Sequence, residues 1–252
     1  MNIVVCIKRV PATDSRIKIA ADGTSIDAAQ IEWIISPYDE FAVEAALQMK
    51  EAAGGGEVTI VSLGLGETTK ELRTCLAMGA DKAILIKDDG ANARDAASTA
   101  NALAAAITPL NADLVLCGKQ AVDRDQGQVG ALLAACLSLP CVTEIRQLEI
   151  ADGKANVERA GEDGTSETLE VTLPAVLTCT KGLNEPRYAS LKGIMMAKKK
   201  PIDEQEPQLG DARITLSSLE LPPERSAGKI VGEGAAAVPE LVRLLREEAK
   251  VL

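Results

Sequence analysis

The residues best placed to do chemistry are Gly118-Lys119-Gln120-Ala121-Val122-Asp123-Arg124-Asp125-Gln126-Gly127-Gln128-Val129-Gly130. They follow the apolar run Asp113-Leu114-Val115-Leu116-Cys117 and open a helical pattern, so they occupy a turn from strand into helix. Backbone amides at a helix start favour phosphate, and open α/β sheets bind ligands beyond the carboxyl ends of their strands. Gly118 and Gly127 let the backbone approach a ligand, while Gln120 and Gln128 offer hydrogen bonds to phosphate, ribose or amide groups. The spacing is neither GxGxxG nor a P-loop, so two readings stand: a nucleotide-binding turn, or an ordinary loop punctuated by glycine.

Other strand ends would share this rim. Cys6-Ile7-Lys8-Arg9 and Ser62-Leu63-Gly64-Leu65-Gly66 each close an apolar run. Ser36-Pro37-Tyr38-Asp39 starts a helix, where Ser36 or Asp39 could cap it or accept from an adenine or ribose group. The alternative for Asp39 and Glu40 is plain first-turn acidity, which the helix dipole favours. There is no histidine, so the commonest metal ligand and the commonest general base are both missing and chemistry would be borrowed from a cofactor. Asp123 and Asp125 leave one other possibility, oxygen ligands for Mg²⁺ in a stand-alone nucleotide sensor or hydrolase. The six cysteines form no CxxC pair and read as buried free thiols.

A second kind of site is suggested by Leu183-Asn184-Glu185-Pro186-Arg187-Tyr188-Ala189-Ser190-Leu191-Lys192-Gly193-Ile194-Met195-Met196-Ala197-Lys198-Lys199-Lys200-Pro201. Apolar anchors rimmed by lysine suit a docking surface, because a few buried side chains supply most binding energy and the charged rim steers encounter. A tucked-in loop followed by a solvated lysine run is the other reading.

These residues need a frame. Residues 2–10 form a strand-length apolar run, and 38–53 carry Phe41, Ala42, Ala45, Ala46 and Met49 at helical spacing up to the stop at Gly54-Gly55-Gly56. Strands at 57–63, 82–87 and 113–117 then alternate with helices near 67–78, 94–108 and 125–138, which predicts right-handed βαβ crossovers and a doubly wound, mostly parallel sheet. Beyond Pro140 the short runs 145–150, 154–159, 167–172 and 174–180, parted by Asp152-Gly153 and Gly161 to Gly164, predict an antiparallel extension of that sheet. From 181 to 236 the proline-rich chain reads as loop, ahead of an amphipathic helix at about 238–250. The organisation expected is an α/β domain over 1–200 and an extended C-terminal arm over 201–252, lying on a partner or flexible in solvent.

Composition narrows the function. With 252 residues the chain can bury a full core, but aromatics are only 2%, so few stacking platforms exist for bases or sugars. A net charge of −10 disfavours general nucleic-acid binding. No apolar run reaches membrane-spanning length, which argues against direct membrane insertion. The start reads as a strand rather than a cleavable leader, so the expected compartment is the bacterial cytoplasm, or an organelle matrix if a leader was removed.

Several segments together resemble the β subunits of electron-transfer flavoproteins. Val157-Glu158-Arg159 through Glu162-Asp163-Gly164, Glu167 and Leu169, then Leu173-Pro174-Ala175-Val176-Leu177-Thr178, is similar to the family's signature hairpin. The 183–201 stretch, CLAMGADKA and GKQAVDRDQGQVG resemble further family segments, and the likeness covers nearly the whole chain.

The resemblance implies an adenine-nucleotide-binding type of fold, Rossmann-like, in an obligate heterodimer with an α subunit that holds most of the redox FAD. It implies structural AMP at Cys6, at Ser36, Pro37, Tyr38 and Asp39, at Leu63, and at Gly118 through Val129. It implies a recognition loop near Arg187 to Lys198, including Ile194 and Met195, with Leu191 as the apolar anchor. Arg187 and Tyr188 are expected there or at the subunit interface near the flavin. The partners implied are acyl-CoA dehydrogenases as donors and a quinone oxidoreductase as acceptor, with the chain a carrier rather than a catalyst. Val10-Pro11-Ala12-Thr13-Asp14-Ser15 departs from many carriers by lacking an aromatic, and is more similar to flavin-bifurcating relatives, whose β subunit holds a second FAD and accepts hydride from NADH.

Overall fold

Ile3 and Val5 face one side of the first strand, β1 (Asn2–Cys6), and Val4 and Cys6 face the other; all four are buried. A strand covered on both faces belongs inside a layered α/β sheet. The computed structural model describes residues 1–224 and 227–252. It contains two units, Met1–Leu219 and Glu220–Leu252.

In the first unit, β2 (Arg9–Pro11) and β3 (Trp33–Ile35) pair as a small antiparallel ribbon. The expected strand over 2–10 is therefore broken after Cys6, where the chain leaves the sheet. Then follow α1 (Pro37–Ala52), β4 (Glu57–Gly64), α2 (Thr69–Met78), β5 (Lys82–Lys87), α3 (Ala96–Ile107), β6 (Leu114–Gly118) and α4 (Val129–Leu137). Next come β7 (Cys141–Ala151), β8 (Lys154–Ala160), β9 (Ser166–Thr172), β10 (Ala175–Cys179), α5 (Leu191–Ala197) and β11 (Ile202–Gln205). The second unit contains α6 (Val238–Glu247), in which Arg243 bridges Glu240 and Glu247.

The nine-stranded sheet has the order β11-β5-β4-β1-β6-β10-β7-β8-β9 and is parallel from β11 to β7. Residues of α1 and α2 pack with Ile3, Val5, Val58 and Ile60 on one face. Residues of α3 and α4 pack with Val4, Cys6, Val61 and Ile84 on the other, so the expected doubly wound fold is what the chain adopts. Leu72, Leu76, Leu103 and Leu133 anchor these helices, each fully or almost fully buried, and such burial stabilises by about 1.5–3 kcal/mol per side chain.

Four expectations are corrected. The helix read from 125 starts at Val129, because Asp125 (φ 50°) and Gly127 (φ 62°) are left-handed and cannot extend it. Run 174–180 does not join the antiparallel extension: β10 lies between β6 and β7 and is parallel to both. The stretch read as loop over 181–236 includes α5 and β11, and its positions 225–226 lie outside the described residues. Because β11 pairs with β5, the first unit runs past 200, to Leu219.

Candidate functional site

The chain leaves β1 for α1 on one face of the sheet and leaves β6 for α4 on the other, so the carboxyl ends of these neighbouring strands diverge into a crevice. Asp39 sets its width. Its Oδ2 accepts from the Lys8 amide at 2.8 Å and its Oδ1 from the Gly118 amide at 2.9 Å, tying both strand ends to the first turn of α1. Gly118 has no room for a side chain: a Cβ there would stand 2.4 Å from Asp39 Oδ1 and 2.7 Å from the Tyr38 carbonyl carbon.

Burial pushes the Asp39 carboxyl up to about 7, while the two amide donors and the nearby Lys8 charge pull it back down. With an ordinary value of 3.8, folding favours the protonated form. That contribution is full below the ordinary value and is lost as pH rises through the folded one. The stability advantage of the wild type over Asp39→Asn should therefore shrink between pH ~4 and ~7, by at most about 1.4 kcal/mol per pH unit, and level off above. Urea titrations across this range test it, and a constant difference would refute it.

The 118–129 loop is folded on itself. Arg124 and Asp125 amides both donate to the Ala121 carbonyl, at 3.3 and 2.9 Å, and Gln120 Nε2 donates to Asp125 Oδ1 at 2.8 Å. The resulting cleft has about 880 Å³ of empty space including its open mouth. Cys6, Asp39, Leu63, Gly118, Lys119, Gln120, Ala121, Arg124, Gln126, Gly127, Gln128 and Val129 all line it.

Ser36, Pro37, Tyr38, Val122, Asp123 and Asp125 do not line the cleft. Ser36 is fully buried below the start of α1, its hydroxyl without a hydrogen-bond partner among the described residues. The Tyr38 ring lies 5.2 Å from the Lys119 ammonium. Asp123 faces Lys8 at 2.6 Å and Asp125 is held by Gln120, so both carboxylates weighed as Mg²⁺ ligands have partners within the chain.

Five cleft residues escaped the sequence reading: Ala91, Arg94, Ala96, Thr99 and Leu103, on the approach to α3 and its first turns. The available signal was positional. α3 follows a strand of the same rim and is capped by Asp95, whose carboxylate accepts from the Ser98 amide.

The cysteines divide differently from the expectation of six buried thiols. Cys6, Cys75, Cys117 and Cys179 are buried, Cys141 is half-buried and Cys136 is exposed. Hydrogen bonding to Cys6 and burial raise the Cys117 thiol, and burial raises Cys179, so these groups pack as apolar side chains.

The 183–200 segment is firmly seated. Asn184 Nδ2 donates to the Phe41 carbonyl at 2.9 Å, and Arg187 Nε meets Glu44 Oε2 at 2.8 Å while its Nη1 meets Glu51. Arg187, expected among the docking residues, is thus committed to α1. Ser190 caps α5, accepting from the Gly193 amide at 3.0 Å, and a Cβ on Gly193 would stand 2.1 Å from the Ala77 carbonyl oxygen. Arg73 donates to the Ala197 and Lys200 carbonyls, both at 2.6 Å, and Lys200 donates to those of Leu76 and Ala80. The lysine run is therefore split: Lys198 is exposed, whereas Lys200 caps the end of α2. What remains open is an apolar face. Tyr188 is 98% exposed, Leu191 83% and Met195 71%, with Ile194 and Met196 beside them.

Comparison with known proteins follows the same lines. Residues 24–209 match the electron transfer flavoprotein domain. The chain is 45% identical, over its whole length and that of the relative, to an electron transfer flavoprotein subunit beta of Bacillus subtilis. It is 40% identical to one of Syntrophomonas wolfei, over all of this chain and 98% of the relative. It is also 43% identical, over 80% of this chain and 77% of the relative, to the caffeyl-CoA reductase-Etf complex subunit CarD of Acetobacterium woodii. With the doubly wound fold and end-to-end identity of this order, the chain belongs to the electron transfer flavoprotein family, as a β subunit.

Proposed function

We propose that this chain, paired with an α subunit that holds most of the redox FAD, forms a carrier that takes electrons from acyl-CoA dehydrogenases and similar flavoenzymes and delivers them to a quinone oxidoreductase. In this reading the cleft at the β1–β6 divergence holds AMP as a structural ligand, and the face around Leu191 docks the donor. The observation that carries it is that one cleft gathers Cys6, Asp39, Leu63 and the 118–129 loop in a chain of this family.

The cleft suits a mononucleotide. Gly118 brings bare backbone to its wall, Gln120 and Gln128 supply amides, and Leu63, Leu103, Cys6 and Cys117 give aliphatic and thiol surface for a base edge. The flavin supplies the redox chemistry when bound, and the residues of this chain bind, orient and shield. The arm over 201–252 reaches the α subunit in this reading, its sheet-paired beginning excepted. The compartment is the cytoplasm or an organelle matrix, and among the described residues no helix is long and apolar enough to cross a membrane.

A second reading has a specific basis in the similarity to a caffeyl-CoA reductase-Etf complex subunit and in the Val10-Pro11-Ala12-Thr13 pattern. There the cleft holds a second FAD and the complex oxidises NADH. Acid release and chromatography of nucleotides from the heterodimer distinguish the two. One FAD with one AMP supports the carrier; two FAD and no AMP support the second reading. In the same complex Leu191→Glu should keep both cofactors and slow electron uptake from a reduced dehydrogenase roughly tenfold. Uptake at the wild-type rate would remove the docking role.

A further inference from the structure

Four cations line the cleft: Lys8, Arg94, Lys119 and Arg124. Three of them face carboxylates, Lys8 with Asp123 at 2.6 Å, Arg94 with Asp88 at 2.8 Å and Lys119 with Glu144 at 3.4 Å. Arg124 differs among the described residues. Its guanidinium donates to two main-chain carbonyls, that of Arg94 at 3.0 Å from Nη1 and that of Asn92 from Nη2. Carbonyl oxygens orient a guanidinium without neutralising it, and two of five donors spent in this way leave the others for a ligand.

The position of this side chain matters as much as its charge. Arg124 lies near the tip of the 118–129 loop, and Asn92 and Arg94 lie in the opposite wall ahead of α3, so the side chain spans from one wall to the other. The loop is built to aim it: the Ala121 carbonyl gathers the amides of Arg124 and Asp125, and Gln120 holds the Asp125 carboxylate. The side chain is thus held at both ends.

We propose that Arg124 is a size-selecting latch. Closed across the cleft, it offers its charge to the phosphate of a mononucleotide and bars a dinucleotide, whose second half must pass where the guanidinium meets the 92–94 carbonyls. The proposal rests on the nucleotide reading of the cleft. AMP ends at its phosphate and meets the cation; FAD continues through a pyrophosphate into the flavin half and needs the latch open.

The test uses the heterodimer, stripped of the nucleotide in this cleft and titrated separately with AMP and with FAD, followed by calorimetry and flavin absorbance. The wild type should bind AMP and take up no FAD beyond one per heterodimer. Arg124→Ala should bind AMP about tenfold more weakly and accept a second FAD. Arg124→Lys keeps the charge without the planar fork, and so should hold AMP within about threefold while still admitting FAD; it also serves if the alanine variant does not fold. An unchanged preference for AMP over FAD in both variants overturns the latch, as does a wild type that takes FAD in this cleft. A wild type that binds neither nucleotide overturns the nucleotide reading itself, and the latch with it.

Discussion

Gly118→Val should yield a chain destabilised by about 3 kcal/mol that no longer retains through purification the nucleotide proposed for the cleft. The added Cβ would meet the Asp39 carboxylate at 2.4 Å and the backbone of Tyr38 and Asp39 at 2.7 and 2.8 Å. A carboxylate can rotate away; the first turn of a helix cannot. Either α1 moves off the end of β6 or Asp39 loses the Gly118 amide, and in both cases the cleft opens at its base. Gly127→Ala is the control from the same loop. It has a left-handed φ of 62° but no atom nearer than 3.7 Å, so its cost is backbone strain alone, about 1–2 kcal/mol. Urea unfolding of both variants separates the two causes. Equal losses would show that close approach to α1 is not what keeps glycine at 118.

Arg187→Ala should destabilise the chain by about 3 kcal/mol. Glu44 is 4% exposed, and removing its guanidinium leaves a buried carboxylate without its cation, while Glu51, at 61% exposure, recovers hydration. The double variant Arg187→Ala with Glu44→Gln should regain about half of the loss, because the stranded charge is gone although the packing is not restored. Thermal and urea unfolding measure both. If the double variant is no more stable than the single, the cost lies in lost contacts of the arginine stem and not in the charge. Without this anchor the segment ahead of α5 loosens from α1, so the docking proposed for the Leu191 face should weaken in parallel with stability.

The frame was legible wherever burial dictates sequence. β1, β4, β5 and β6 are buried on both faces and can be little else than apolar runs, and the interleaved helices bury stripes that repeat at helical spacing. The 118–129 loop was legible because strand, glycine and helix stand next to each other in the chain. β11 was not: Ile202-Asp203-Glu204-Gln205 has almost no apolar content, and it becomes a strand only because β5 offers a free edge. α5 was hidden by its glycine, its lysines and its length of seven residues, since it is held by Arg73 and Lys200 more than by its own propensity. Pairings across the chain left no local trace. Arg187 looks like a docking cation until Glu44, 143 residues away, is brought beside it. Arg94 and Thr99 enter the cleft only because β5 and α3 deliver them there.

The place of β11 has a bearing on how the molecule is made. The polypeptide that carries the exposed apolar face leaves β10 in the middle of the sheet, crosses over α1 and α2, and is secured by a strand at the far edge. That edge strand pairs with a much earlier one, so it is among the last pieces of this unit to emerge during synthesis and among the slowest to find its neighbour. The far border of the sheet is therefore completed after its centre, by the same stretch of chain that carries the exposed apolar face.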